Sequence, residues 1–166
     1  MSDHQQAQNP MSSLRIAKEF RWEMAHRLPF HTGGCQNIHG HSYRAVITLE
    51  GEPDERGMIL DYLELARIVE PLLAELDHAF LCSADDTVML DFFGQHPEFK
   101  VVIVPFPTTA ENLARYLAER LAESLRCFPQ LRRFWVRVQE TERTSAEVAC
   151  ELSPVDIRPS RYVSAP

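Results

Sequence analysis

A chain of 166 residues, 45% hydrophobic and 25% charged, has room for one hydrophobic core of ordinary size, and its composition is neither that of a disordered segment nor that of a fibrous repeat. The formal net charge of -7 excludes a broad nucleic-acid surface, which would gather Lys and Arg against phosphate; an anionic small substrate would need a local positive pocket. No run approaches the roughly 20 apolar residues of a membrane-spanning helix, so no membrane partner is expected.

Met1 to Ser13 is polar, without apolar periodicity and without the basic-then-apolar order of a signal peptide. It reads as a disordered leader ahead of a single catalytic domain at 14–153, with a C-terminal tail at 154–166 and a cytoplasmic location. The first element is a strand: from Arg15 to His26 the even positions Ile16, Phe20, Trp22, Met24 and His26 alternate with Glu19, Arg21 and Glu23. After a loop containing Pro29, Gly33 and Gly34, a second strand puts Tyr43, Ala45, Ile47 and Leu49 on one face, opposite Arg44, Thr48 and Glu50. The two predict a long antiparallel hairpin.

Asp61 with Glu64 three residues on resembles a capping box and opens a helix striped by Leu63, Ala66, Val69, Leu73 and Leu76, with Pro71 as a kink or a restart. A second helix is predicted from near Thr108, with Glu111 completing its box and Leu113, Leu117, Leu121 and Leu125 as its stripe, ending before Pro129. Phe134, Val136, Val138 and Glu140 then alternate with polar or outward residues, and an apolar segment from Ala146 to Leu152 closes a last hairpin. Val101 to Val104 admits a short extra strand. The order ββααββ gives an α+β fold, a four-stranded antiparallel sheet with both helices on one face.

On this reading His26 ends the first strand and His39 and His41 open the second, all at inward parity, and Gly40 between the latter two permits a close backbone approach. Three imidazoles without a fourth protein ligand describe a catalytic rather than a structural zinc site. The other reading leaves His39 and His41 as loop residues and His26 as a hydrogen-bonded core residue. Cys35, in the loop before His39, is either an accessible thiol near a metal or a small buried residue. Asp77 and His78, after the first helix, are a relay pair or a structural one. Glu140 ends the inward face of its strand, where a carboxylate either grips a heterocycle through paired N–H groups or frays into solvent with Thr141 and Glu142. The four cysteines, Cys35, Cys82, Cys127 and Cys150, contain no CxxC and read as free thiols.

The stretches Phe20-Arg21-Trp22-Glu23-Met24-Ala25-His26-Arg27-Leu28 and Cys35-Gln36-Asn37-Ile38-His39-Gly40-His41-Ser42-Tyr43 resemble the signature of the 6-pyruvoyltetrahydropterin synthase superfamily. Met58-Ile59-Leu60-Asp61-Tyr62, Leu76-Asp77-His78, Pro107-Thr108-Thr109-Ala110-Glu111-Asn112-Leu113 and Gln139-Glu140-Thr141 resemble its later motifs, so the likeness covers about Ile16 to Leu152. Three residues separate Cys35 from His39, a gap similar to that of the 6-carboxytetrahydropterin synthases of the queuosine (7-deazaguanine) pathway. The resemblance implies the tunnelling fold, a zinc ion on His26, His39 and His41, and Cys35 as the proton-transfer base with Asp77 and His78 completing its relay. It implies Glu140 as the pterin anchor, and 7,8-dihydroneopterin triphosphate as substrate, with Arg27 a plausible contact for the triphosphate. It also implies a homo-oligomer, a trimer or hexamer joined through sheet edges. The rival products are 6-carboxy- and 6-pyruvoyltetrahydropterin, and a third reading is a zinc-binding homologue without catalysis. The segment Cys82 to Phe106 is longer than this family leads one to expect between the two helices.

Overall fold

The computed structural model describes residues 13–152; the expected leader as far as residue 12 and the expected tail at 154–166 lie outside the described residues. Strands β1 (Leu14–His26) and β2 (His39–Gly51) form the predicted hairpin, in a register that runs from Leu14↔Gly51 through Trp22↔Tyr43 to His26↔His39. Period-two alternation sets the burial. Phe20, Trp22, Met24 and His26 on β1 and Tyr43, Ala45, Ile47 and Leu49 on β2 are buried, while Glu19, Arg21 and Glu23 are exposed. Strand β5 (Leu131–Thr141) continues the sheet antiparallel to β2, and β6 (Thr144–Glu151) pairs with β5.

The four-stranded, wholly antiparallel sheet expected from the sequence is too small. Strands β3 (Ala79–Ser83) and β4 (Val101–Val104) extend it beyond β1, both running parallel to their neighbours, giving a mixed six-stranded sheet in the order β4-β3-β1-β2-β5-β6. Every residue of β3 is buried. A strand covered on both faces loses the polar half of its alternation, so Ala79-Phe80-Leu81-Cys82 offers no period of two to read.

Among the described residues there are likewise three α-helices rather than two. Helix α1 (Tyr62–Leu76) is capped by Asp61, whose carboxylate accepts from the Leu63 amide at 2.7 Å, and it runs on across Pro71. Leu63, counted above with the apolar stripe, is 65% exposed; Leu65, Val69, Leu72, Leu73 and Leu76 form the buried face. Helix α3 (Ala110–Leu125) is capped by Thr109, not Thr108, and buries Leu113, Leu117, Leu121 and Leu125. Each of those leucines contributes on the order of 2 kcal/mol by leaving water.

The unpredicted helix α2 (Thr87–Gln95) lies between β3 and β4, so the long segment after Cys82 is a strand–helix–strand unit. Leu81 joins the main core with α1 and α3, whereas Phe80 and Cys82 join a second cluster with Met89 of α2 and the outward residue Ala25. Thus α1 and α3 share one face, as expected, and α2 packs on the other. No described helix is long and apolar enough to cross a membrane.

Candidate metal centre

The pairing of His26 with His39 at the end of the β1–β2 ladder, with His41 two residues along the same face, forces three imidazoles together. Their ring centroids are 4.6 to 5.3 Å apart, and one ligand atom from each lies within 4.8 Å of the others. A Cβ on Gly40 would meet the Met24 carbonyl at 3.3 Å, so the close approach of the two strands depends on its lacking one.

His26 is 1% exposed, and its Nδ1 lies 2.7 Å from the Thr108 carbonyl. A carbonyl can only accept, so Nδ1 carries the proton and Nε2 presents its lone pair to the trio. That Nε2 is buried without a hydrogen-bond partner. An orphaned buried acceptor between two other imidazoles fits a metal ligand better than a core histidine. The Asn37 carbonyl holds Nδ1 of His39 in the same way at 2.9 Å, and such backbone bonds are the usual orienting layer of metal-binding histidines.

Burial, reinforced by His39 and His41 and opposed by the Thr108 bond, lowers the His26 pKa from 6.5 to about 4. Burial also lowers that of His41, opposed by the nearby Glu140 carboxylate. Both rings are therefore held neutral, the form that binds a metal. Three imidazole nitrogens suit zinc, and fewer than four protein ligands leave a position for another oxygen.

Glu140 continues the inward face of β5 after Phe134, Val136 and Val138, and it is the extra residue where the β5–β6 register shifts by one between Gln139↔Ser145 and Thr141↔Thr144. Its Oε1 lies 3.7 Å from His26 Nε2 and accepts from the Tyr43 hydroxyl at 3.3 Å. Glu140 lines two cavities, one of about 430 Å³ with His41 and Arg44 and one of about 280 Å³ with Leu28, Thr109 and Glu111.

The remaining candidates are bonded elsewhere than to the trio. Cys35 lies half-buried in a single 3₁₀ turn (Gly34–Gln36), within the loop that joins His26 to His39, and its carbonyl accepts from the Leu28 amide at 2.7 Å. Asp77 and His78 find their partners elsewhere. The Asp77 carboxylate accepts from the Glu23 amide at 3.0 Å and lies 3.0 Å from Nδ1 of His78. The His78 amide donates to the Glu23 carbonyl at 2.7 Å. Neither residue's partner is Cys35 or a member of the trio. His78 also adopts a left-handed φ of 56°, tolerated by few side chains other than Asn, Asp and His. It lines a larger cavity of about 570 Å³, together with His41 of the trio, Ala25, Phe80 and Phe93. Arg27 is engaged too: its Nε and Nη2 each donate at 2.7 Å to the carboxylate of Asp86, the buried N-cap of α2.

Two contributors escape the sequence reading. Thr108 was assigned to a helix cap, yet its carbonyl orients His26 and its hydroxyl donates to the Arg27 carbonyl at 3.0 Å. The sequence offered a hint, since Thr108-Thr109 supplies two threonines for one cap position. Tyr43 enters the sequence pattern only as a residue of the β2 face and of the Cys35–Tyr43 stretch, although a hydroxyl at inward parity two residues after His41 needs a buried partner.

The family described as 6-pyruvoyl tetrahydropterin synthase matches residues 15–151 of this chain. The chain is 36% identical to the 6-carboxy-5,6,7,8-tetrahydropterin synthase of Haemophilus influenzae over 115 residues, which are 65% of this chain and 82% of that one. It is 36% identical to a putative 6-carboxy-5,6,7,8-tetrahydropterin synthase of Pyrococcus horikoshii over 130 residues, 72% and 79% of the two chains. Among solved structures, an uncharacterized protein of Wolinella succinogenes superposes with a TM-score of 0.71 at 23% identity, covering 84% of this chain and 99% of the other. The 6-pyruvoyl tetrahydropterin synthase of Plasmodium falciparum superposes with a TM-score of 0.67 at 18% identity, covering 84% and 98%.

Proposed function

Because the chain belongs to the 6-pyruvoyl tetrahydropterin synthase family, we propose that it is a zinc-dependent lyase converting 7,8-dihydroneopterin triphosphate to 6-carboxy-5,6,7,8-tetrahydropterin. The reaction consumes one water, and triphosphate and a two-carbon aldehyde leave. The observation that carries the reading is the buried, unpartnered Nε2 of His26 facing His39 and His41. The names of the relatives at 36% identity support the carboxy product, as does the three-residue gap between Cys35 and His39.

His26, His39 and His41 would hold the ion, two of them with their protonated nitrogens tied to backbone carbonyls. Zinc bound there would act as a Lewis acid, making a substrate hydroxyl more acidic and stabilising negative charge that develops beside it. Cys35 as thiolate takes a proton from the substrate side chain, and the Asp77–His78 pair relays it. In one chain that pair is bonded to Glu23, so the relay we propose is completed by a second copy. Glu140 accepts two N–H groups from the edge of the pterin. Arg27 contacts the triphosphate through the guanidinium hydrogens left free by Asp86.

The active unit is the single tunnelling-fold domain at 14–153, assembled as a trimer or hexamer in the cytoplasm for queuosine biosynthesis. An unpaired edge supports the assembly: among the described residues β3 pairs with β1 only at Met24 and Ala25, which leaves the rest of that edge open to another strand. The test is to incubate zinc-loaded protein with 7,8-dihydroneopterin triphosphate and weigh the products. The mass of the 6-carboxy product together with free aldehyde is expected. The 6-pyruvoyl mass would move the chain to the rival branch, and zinc-replete protein without turnover would leave a binding homologue.

A further inference from the structure

Tyr43 lies 1% exposed behind the metal centre. Its ring stacks on Trp22 with centroids 5.1 Å apart and planes 14° from parallel, and it meets His41 edge-on at 5.3 Å and His26 at 6.1 Å. Packed on three sides by rings, the phenol cannot swing, and its hydroxyl is fixed in space. That hydroxyl donates to Oε1 of Glu140 at 3.3 Å.

Glu140 needs such a restraint. It is the extra residue of the β5–β6 bulge, near the end of its strand, with its side chain partly open to solvent. A carboxylate there has several rotamers, and the oxygen that Tyr43 holds, Oε1, lies 3.7 Å from His26 Nε2. We propose that Tyr43 is a positioning residue that fixes Oε1 of the Glu140 carboxylate beside the metal centre and keeps its remaining acceptor sites aimed at the heterocycle. An ionised carboxylate has about four acceptor sites; Tyr43 occupies one, and the others can receive paired N–H donors. The role rests on the proposed assignment of Glu140 as pterin anchor.

The decisive variant is Tyr43→Phe, which keeps the stacked ring and removes only the hydroxyl. With zinc-loaded protein, titration by neopterin, followed through its fluorescence, should show binding weakened roughly tenfold, the worth of one hydrogen bond to a charged group. The KM for 7,8-dihydroneopterin triphosphate should rise by a similar factor, with kcat changed far less. Zinc stoichiometry and the thermal midpoint should match the parent. Glu140→Asp, one methylene too short to reach the hydroxyl, should show the same defect, and Tyr43→Phe added to it should change neopterin binding less than twofold.

A Tyr43→Phe protein that binds neopterin as the parent does, or whose loss adds fully to that of Glu140→Asp, would overturn the role of Tyr43 while leaving Glu140 as anchor. Parent protein that binds no neopterin, or a Glu140→Gln variant that binds it as well as the parent, would remove the anchor and Tyr43's role together. Should Tyr43→Phe lose its zinc or its fold, the hydroxyl is structural and the proposal fails.

Discussion

At the scale of single residues, the candidate metal centre separates the groups proposed to hold an ion from the group proposed to react. His26 and His39 are oriented by backbone carbonyls, whereas Cys35 belongs to the loop between them and is not among the mutually close ligand atoms. Cys35→Ala should therefore retain one zinc per chain by elemental analysis while turnover falls by a factor of about 100 or more, the usual worth of a positioned base. His26→Ala should lose the metal as well. The pH dependence of the metal-free protein follows from His26. Its folded pKa of about 4 lies below the unfolded value of 6.5. Its contribution is therefore complete above pH 6.5 and is lost as the pH falls towards 4, where the buried ring must charge or the chain unfold. The loss amounts to about 3 kcal/mol at most. Urea midpoints of metal-free protein at pH 7.5 and 4.5 should differ more for the parent than for His26→Gln.

At the scale of elements, the unit β3–α2–β4 is tied to β1 and the residue that follows it at two points. One is the short parallel pairing of Ala79 and Phe80 with Met24 and Ala25. The other is the bidentate pair of Arg27 with Asp86, which is 3% exposed and also caps α2. Arg27 lowers the Asp86 pKa through these hydrogen bonds, and Asp86 raises that of Arg27. Asp86→Ala removes both partner and cap and should cost about 4 kcal/mol, because it leaves a guanidinium partly buried and unpaired. Asp86→Asn keeps a capping oxygen and should lose less. Chemical denaturation of the zinc-free variants gives the two values directly, and equal losses would place the whole effect in the ion pair. Because Arg27 follows His26 in the chain, the same variants should also weaken zinc binding.

At the scale of the whole molecule, the Asp77–His78 pair is fastened to Glu23 of β1, while Cys35 is carried by the hairpin loop. A relay shared between copies makes a sharp prediction. Cys35→Ala and His78→Ala proteins, each inactive alone, should regain roughly a quarter of parental activity when co-expressed, by random pairing of copies. No recovery in purified mixed oligomers would mean that each chain supplies its own relay, through a rearrangement of the loop.

The metal trio was legible in the amino-acid order because it depends on strand parity and on one glycine: alternation assigns His26, His39 and His41 to a single face before any distance is known. The helices α1 and α3 were legible for the same reason, their stripes of leucine repeating with the helical period. Strand β3 and helix α2 were not. The first is buried on both faces and so carries no alternation; the second buries Met89 alone on a face of the sheet that the sequence leaves unassigned. Nor could the chain order say that Thr108, 82 positions from His26, would set its tautomer, or that Glu140 would meet the hydroxyl of Tyr43. Periodicity records which way a side chain points; its partner across the fold is decided only when the sheet pairs and the helices pack, because those contacts join residues far apart in the chain.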